Sequence, residues 1–395
     1  MNSPARLAVA GQAPAPDGQL AGLDIAVVTS AEGFVALSNE WTALFERAAE
    51  PAQVFQSFVF LDHWARHYLD ERTSLSIVTG RKGGRLVMAW PLVRRKQAGA
   101  DTLAFMGAPV AQFGDLLIDK GLETEDWLRA GWAAVRSLGA DLFEARKVRA
   151  DSAFFRCPIE DRTIAFDHQE APFADLVRRV GVDGPGKAYS AKERSNQRRH
   201  LRRLGERGEI AFHHHDPGSR AAELAVQAVA LKREWLSRSS ILSPTVSDPR
   251  FEAFFRDIAA DAQNGSPLRV SVIECDGKPA GIDLSFDCKG HTFGHVLASD
   301  PGYEREGVGA VLVHQVFANA RQRGNTTFDL LAPADPYKLH HADGSTPVQD
   351  IVVPFTARGR LFAELVLRRL KPTMKAAARL LPAQLLRSVA SRLQA

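Results

Sequence analysis

Val296-Leu-Ala-Ser-Asp-Pro-Gly-Tyr303-Glu-Arg-Glu-Gly307-Val-Gly309-Ala-Val-Leu-Val-His314 is the stretch on which the fold turns. An extended run ends at 298–301, a loop passes through Gly307 and Gly309, and apolar residues then recur at helical spacing from Val308. The first-turn amides of such a helix have no intrahelical partners. With the positive end of the helix dipole they form an anion site that suits a pyrophosphate. Glycine permits close approach to phosphate because it lacks a Cβ. Short Gly-x-Gly sequences also serve only to pack a helix tightly on a sheet, so the loop has to be read in context.

Just upstream, extended runs at 269–274, 280–286 and 291–298 are joined by Asp276-Gly277 and Lys289-Gly290, both two-residue hairpin signals. This antiparallel meander disfavours a dinucleotide-binding reading, which needs a parallel βαβ unit with an acidic residue about 20 positions on. Downstream, a helix at 308–323 precedes a strand at 327–331. The first half of the chain has the same rhythm. A strand at 25–29 and helices at 31–49 and 58–68 lead to extended runs at 75–80 and 85–94 around Arg81-Lys82-Gly83-Gly84. A strand at 102–106, a helix at 125–138 and a strand at 142–148 close it. The second half opens with a basic helix, a strand at 210–214 and helices at 219–237 and 249–264. Helices, hairpin, strand, helix and strand thus occur twice in one order, which predicts a structural duplication.

A length of 395 residues fits two domains. With 45% hydrophobic and 24% charged residues the composition is globular, not disordered or collagen-like. Cys157, Cys275 and Cys288 are too widely spaced for a zinc or redox pair and too few for a disulfide scaffold. No run nears the ~20 apolar residues of a membrane span, and no signal peptide is read, so a reducing cytoplasm is expected. The net charge of +4 hides two basic concentrations. Eight basic residues between Lys187 and Arg207 face only Glu193 and Glu206, and nine from Arg358 onward face only Glu364.

The loop with Gly307-Val308-Gly309, the strand Phe328-Asp329-Leu330-Leu331 and the following Pro336-Tyr337-Lys338 resemble the acyl-coenzyme A (CoA) core of the GNAT acetyltransferase superfamily. Within it the chain is most similar to the CelD/BcsL-like acetyltransferases, the branch associated with cellulose and other exopolysaccharide synthesis and related in fold to Fem-like aminoacyl transferases. The resemblance spans about 23–355 and includes Phe55-Gln56-Ser57, Trp90-Pro91-Leu92-Val93, Phe113-Gly114-Asp115 and the Arg-rich helix. It implies an α/β (α+β) fold of tandem GNAT-like units, each a mixed, mainly antiparallel sheet flanked by helices. The implied bounds are 1–22 for a disordered segment, 23–170 for the first unit, 171–356 for the acyl-CoA-binding unit and 357–395 for a basic amphipathic tail. In one respect the loop departs from the superfamily. Where it usually carries Gln or Arg, three residues before the first glycine, this chain has Glu304, and Arg305 serves only after a one-residue adjustment.

The resemblance implies acetyl-CoA as co-substrate, held along Leu297 and Ala298 and by Arg305, Gly307, Val308, Gly309 and Ala310, with no metal. The strand through Leu297 would splay from the one through Asp329, a splay that a bulge makes possible. A main-chain amide there would stabilise the tetrahedral oxyanion while the acceptor attacks directly. Tyr337 is the candidate acid for the departing thiolate, and packing on the core is its competing role. His295 and Asp329, with Asp283 behind them, are candidate bases, though a lone strand histidine is more often structural. Asp115, Arg198, Arg202 and Lys338 are candidate acceptor contacts.

At 100° per residue the basic residues of 192–207 fill one arc, with Gln197, His200, Leu201 and Leu204 on the other. A solvated face, an anionic-substrate surface and RNA compete for that arc; RNA ranks last because no aromatics are interleaved for stacking. His213 and His215 share a strand face but lack a third ligand, and a metal is not expected. The tail can lie on anionic lipid, dock on a partner protein or pack back on the body. The resemblance thus implies an acyltransferase acting on a hydroxyl or amine of a carbohydrate or polysaccharide precursor. The alternatives are a Fem-like aminoacyl-tRNA-dependent transferase and a non-catalytic scaffold in exopolysaccharide assembly.

Overall fold

The computed structural model of the chain describes residues 12–14, 22–97, 99–179 and 190–370. The sequence readings at most of 1–22, at Lys187 and at 371–395 lie outside them. The first unit contributes β1 (Gln12–Pro14), β2 (Asp24–Val28), β3 (Thr73–Leu75), β4 (Ile77–Lys82), β5 (Arg85–Trp90), β6 (Leu92–Gln97), β7 (Ala100–Phe105), β8 (Leu117–Ile118) and β9 (Leu142–Arg149). β10 (Ile164–Asp175) leads to the second unit, with β11 (Ile210–His215), β12 (Leu268–Cys275), β13 (Lys278–Cys288), β14 (His291–Ser299), β15 (Thr327–Asp329) and β16 (Gly344–Pro354). The helices that matter here are α1 (Phe58–Tyr68), α2 (Thr124–Ser137), α3 (Ala191–Gly205), α4 (Ser219–Arg238), α5 (Pro249–Ala260), α6 (Val308–Gln322) and α7 (Pro336–His341).

All three expected hairpin turns form, and each has the two left-handed residues that a tight turn between twisted strands needs. They are Gly83-Gly84 (φ 57° and 79°), Asp276-Gly277 (49° and 72°) and Lys289-Gly290 (46° and 81°). The run at 85–94 is not one strand. Pro91 cannot donate to a ladder, and the chain bends there so that β5 joins a five-stranded sheet and β6 an eleven-stranded one. The helix expected at 31–49 likewise breaks at Leu37.

The duplication shows in the pairing. In the first unit β7 runs parallel to β9 for three pairs, and β9 then pairs antiparallel with β16. In the second, β14 runs parallel to β15 for three pairs, and β15 pairs antiparallel with β10. Each unit thus ends on a strand supplied by the other half of the chain, and β10 and β16 pair at the centre. The expected boundary at 170/171 falls inside β10. Parallel pairs need a crossover, and α2 and α6 supply it at equivalent points.

The two units share a core. Phe55 and Phe60 meet Phe286 edge-on at 5.8 and 5.5 Å, and Phe60 packs on Phe254 of α5. Lys289, at the β13–β14 turn, donates through Nζ to the carbonyls of Phe45, Glu46 and Ala49, capping the C-terminus of a first-unit helix with a cation. From the expected tail, Phe362 and Leu367 are buried in a cluster with Leu142 and Val352, while Leu361 and Leu365 stay exposed. No helix among the described residues is long and apolar enough to cross a membrane.

Candidate active site

β14 carries a bulge: its pairing with β13 steps from Leu284↔Val296 to Ser285↔Gly294, which leaves His295 as the extra residue. On its other edge β14 pairs with β15 only from His291↔Thr327 to Phe293↔Asp329. From Gly294 to Ser299 that edge has no strand partner, so the main-chain groups it presents face a gap instead of a ladder. The gap opens into a cavity of about 1610 Å³ that is lined by Leu297, Ala298, Gly309, Ala310, Tyr337 and Lys338. Trp235, Ile241 and Leu242, at and beyond the end of α4, also line it, and Gln112 reaches in from the first unit. These four residues escaped the sequence reading. The adjacent apolar pair Ile241-Leu242 between loop serines was the available signal.

The glycines at the start of α6 do different work. Gly307 has φ 78°, and a Cβ there would lie 2.2 Å from His200 Nδ1, which itself stands 2.8 Å from the Glu306 carbonyl and donates to it. Gly307 therefore answers to α3 and to the turn. Gly309 has nothing within 4 Å of where its Cβ would stand and borders the cavity. The first turn of α6 holds no acidic residue, so its amides and dipole meet the cavity unopposed. Val308 is buried beneath it and Ala310 lies at the surface. Glu304 is turned toward the end of α4, where Arg238 Nη2 donates to it at 2.6 Å and holds its carboxyl below the usual carboxylate range. Arg305 is exposed and does not line the cavity.

The equivalent place in the first unit is plugged. β7 and β9 also part after three pairs, but the chain at 113–115 fills the space. Gly114 N–H donates to the Lys147 carbonyl, and buried Asp115 accepts from the Ala153 and Phe154 amides and from Gln53. Burial pushes Asp115 up to about 6. Its role is that of a staple, and it is absent from the cavity lining. The remaining pocket there is about 100 Å³, and α2 opens with Glu125 and Asp126, which oppose an anion.

Around the second-unit gap, the titratable groups fall into distinct environments. Asp283 of β13 is 1% exposed, borders the cavity and receives one hydrogen bond, from Ser285 Oγ at 2.6 Å. Burial pushes its carboxyl up to about 7. Tyr337 stands at the rim with its ring half exposed, and burial of its phenol, with Asp335 and Asp283 nearby, raises it to about 12. Lys338 is buried and donates to the Leu331 carbonyl at 2.9 Å, with burial pulling it down to about 8. His295 borders the cavity but points into a ring cluster with Phe255 and Phe286. Its Nε2 stands 2.7 Å from the Val110 carbonyl, and burial lowers it to about 4. Asp329 is away from the cavity, accepting from Arg149 at 2.7 Å and from the Leu331 amide at 2.8 Å. Arg198 and Arg202 sit exposed on α3, outside the cavity lining. Among the described residues no group of three His, Cys, Asp or Glu could hold a metal ion.

The gap suits the pantetheine arm of CoA because free main-chain edge groups replace a ladder, and the α6 terminus at Gly309 suits its pyrophosphate. Residues 191–339 match the family described as "Acetyltransferase (GNAT) domain". No curated protein matches the chain. Among solved structures, FemX superposes with a TM-score of 0.57 at 10% identity, covering 83% of this chain and 98% of its own. A conserved protein of unknown function from Bacteroides thetaiotaomicron gives 0.52 at 11% identity, covering 81% and 97%. The C-terminal domain of a putative lysylphosphatidylglycerol synthetase from Agrobacterium fabrum gives 0.50 at 13%, covering 83% and 95%. At these identities the likeness is one of fold, and it extends over both units. Residues 191–339 are a GNAT-type acetyltransferase domain, built as the second of two like-folded units that trade their last strands.

Proposed function

We propose that the chain transfers an acyl group, acetyl in the first instance, from acyl-CoA to a hydroxyl or amine of a carbohydrate or polysaccharide precursor, in the manner of the CelD/BcsL-like branch it resembles. This is work for the cytoplasm, where acyl-CoA is made. The observation that carries the reading is the parting of β14 from β15 after Phe293↔Asp329, beside an acid-free helix start. The acceptor's oxygen or nitrogen attacks the thioester carbonyl carbon, forming the new C–O or C–N bond as the C–S bond breaks. Main-chain amides of the β14 edge stabilise the oxyanion. Asp283 takes the proton the acceptor loses, and the Tyr337 phenol, held protonated by its raised value, delivers one to the departing sulfur. Solvent then restores both. The buried carboxyl of Asp283 suits a base because its value lies close to neutral pH.

Isothermal titration should show CoA binding to the full chain. Gly309→Glu places a carboxylate in the open space beside the helix start and is expected to weaken it about tenfold or more, roughly 1.4 kcal/mol. No heat with any acyl-CoA, or equal affinity in the variant, would refute the reading. Tyr337→Phe removes the acid but keeps the ring, so kcat should fall about 10²-fold with CoA affinity unchanged. An unaltered kcat would leave Tyr337 a packing residue.

A further inference from the structure

The basic helix α3 has no part in the acyl-transfer reading, yet it stands at the mouth of the cavity. Two polar contacts place it there, and a third ties the end of α4 to the same turn. Glu193, at its start, lies 3.3 Å from His340 of α7. Arg207, just past its end, pairs with Glu306 at 2.9 Å, and Arg238 at the end of α4 pairs with Glu304 on the same short turn. α3, that turn, the α4 end and α7 therefore ring one opening.

Two features of the ring are unusual together. Trp235, Ile241, Leu242, Tyr337 and Leu339 are each 37–54% exposed there. They make up five of the eleven large apolar side chains exposed among the described residues, so nearly half of that surface is gathered at one place. Contiguous exposed apolar side chains mark a surface that meets another phase or partner. Beside them Lys192, Arg198, Arg199 and Arg203 of α3 are exposed with no anionic partner among the described residues, while the inner side of the helix is spent on His200 and Leu204. Hydrophobic side chains flanked by unpaired cations complement an anionic lipid surface, where the chains enter the interface and the cations meet phosphate. RNA would use the cations and leave the aliphatic pair Ile241-Leu242 in water.

We propose that the cavity mouth is a docking face for an anionic lipid membrane, with Trp235, Ile241 and Leu242 entering the interface and the α3 cations lying on the headgroups. On such a face the cavity opens toward the membrane, and an acceptor carried on a lipid reaches it without leaving the bilayer surface. This docking does not depend on the acyl-transfer reading.

The test is sedimentation of the full chain with vesicles of 30% phosphatidylglycerol in phosphatidylcholine, beside vesicles of phosphatidylcholine alone. Binding is expected to the first and to be at least tenfold weaker to the second. At about a fivefold loss per cation, changing Lys192, Arg198, Arg199 and Arg203 together to Gln should cut binding roughly 600-fold. Ile241→Ser with Leu242→Ser, both exposed and so safe for folding, should cut it about tenfold with unchanged thermal unfolding. No binding to anionic vesicles overturns the proposal. So does binding that survives both sets of changes, which would place the contact in another part of the chain. Loss with the cation set alone, together with tRNA binding that the same set abolishes, overturns it in favour of a nucleic-acid surface.

Discussion

Asp283→Asn is expected to lower kcat/KM roughly 10²- to 10⁴-fold, the span that a positioned proton acceptor contributes. The carboxyl sits at the cavity with Ser285 as its one hydrogen-bond donor among the described residues, and Asn keeps its size while losing the basic site. On the proposed mechanism the active form of the parent is the carboxylate, so kcat/KM should rise with pH and level off above about 7. The variant should lose that rise. A stability measurement separates this role from a structural one. Between the unfolded carboxyl value near 4 and about 7, the folded state holds a proton that the unfolded chain has released, so stability falls as pH rises through that window. Above it the parent carries a buried carboxylate, and Asp283→Asn should unfold at an equal or higher temperature. Reduced activity with reduced stability at pH 8 would assign Asp283 to packing. Full activity would remove it from the mechanism.

Arg149→Ala should produce the largest loss of stability, about 3–5 kcal/mol, because it leaves a buried charge without its partner. From β9 its guanidinium reaches across the two central strands. Nη1 donates to Asp329 of β15 at 2.7 Å, Nη2 to Thr346 of β16 at 3.1 Å, and Nε to Asp151 at 2.9 Å. Asp329 is 3% exposed, and burial already pushes its carboxyl up against the pull of Arg149. Removing the cation adds the whole desolvation of that carboxylate. Chemical denaturation of the variant checks it, and Arg149→Ala with Asp329→Asn should recover part of the loss, since the orphaned charge goes as well. A loss under 1 kcal/mol would mean that the exchanged strands are held by their ladders alone.

The parts of this fold that were legible in the sequence are those set by local chemistry. Asp276-Gly277, Lys289-Gly290 and Gly83-Gly84 each announce a turn because few residues accept two left-handed conformations in succession. α6 and α2 follow from helical spacing of apolar residues. β10 and β16 were not foreseen. Ile164–Asp175 is interrupted by the polar run Asp167-His168-Gln169-Glu170 and contains Pro172, and Gly344–Pro354 is apolar only in its second half. Their strand character comes from the two sheets they join, and such long-range pairing leaves little mark on local composition. The break at Pro91 could have been seen, since proline within an extended run argues against a continuous ladder.

At the candidate site, Gly309 was singled out from the loop and helix, and Tyr337 and Leu297 through the family resemblance; the fold brings all three to one cavity. The relative standing of Asp283, His295 and Asp329 could not be read, because alternation along a strand assigns a face but not a partner. Asp329 is occupied by Arg149, 180 residues away in sequence. The bulge at His295 turns its ring toward Phe255 and Phe286. Asp283 stands opposite Leu297 and keeps an edge on the cavity.

Amide hydrogen exchange with and without saturating CoA reads the two main-chain segments that would hold the donor. The gap predicts slower exchange at 295–299 and 308–311, with 107–123 of the plugged first unit unchanged. Unaltered exchange in both second-unit segments at a concentration where CoA is bound, or protection confined to the first unit, would contradict it.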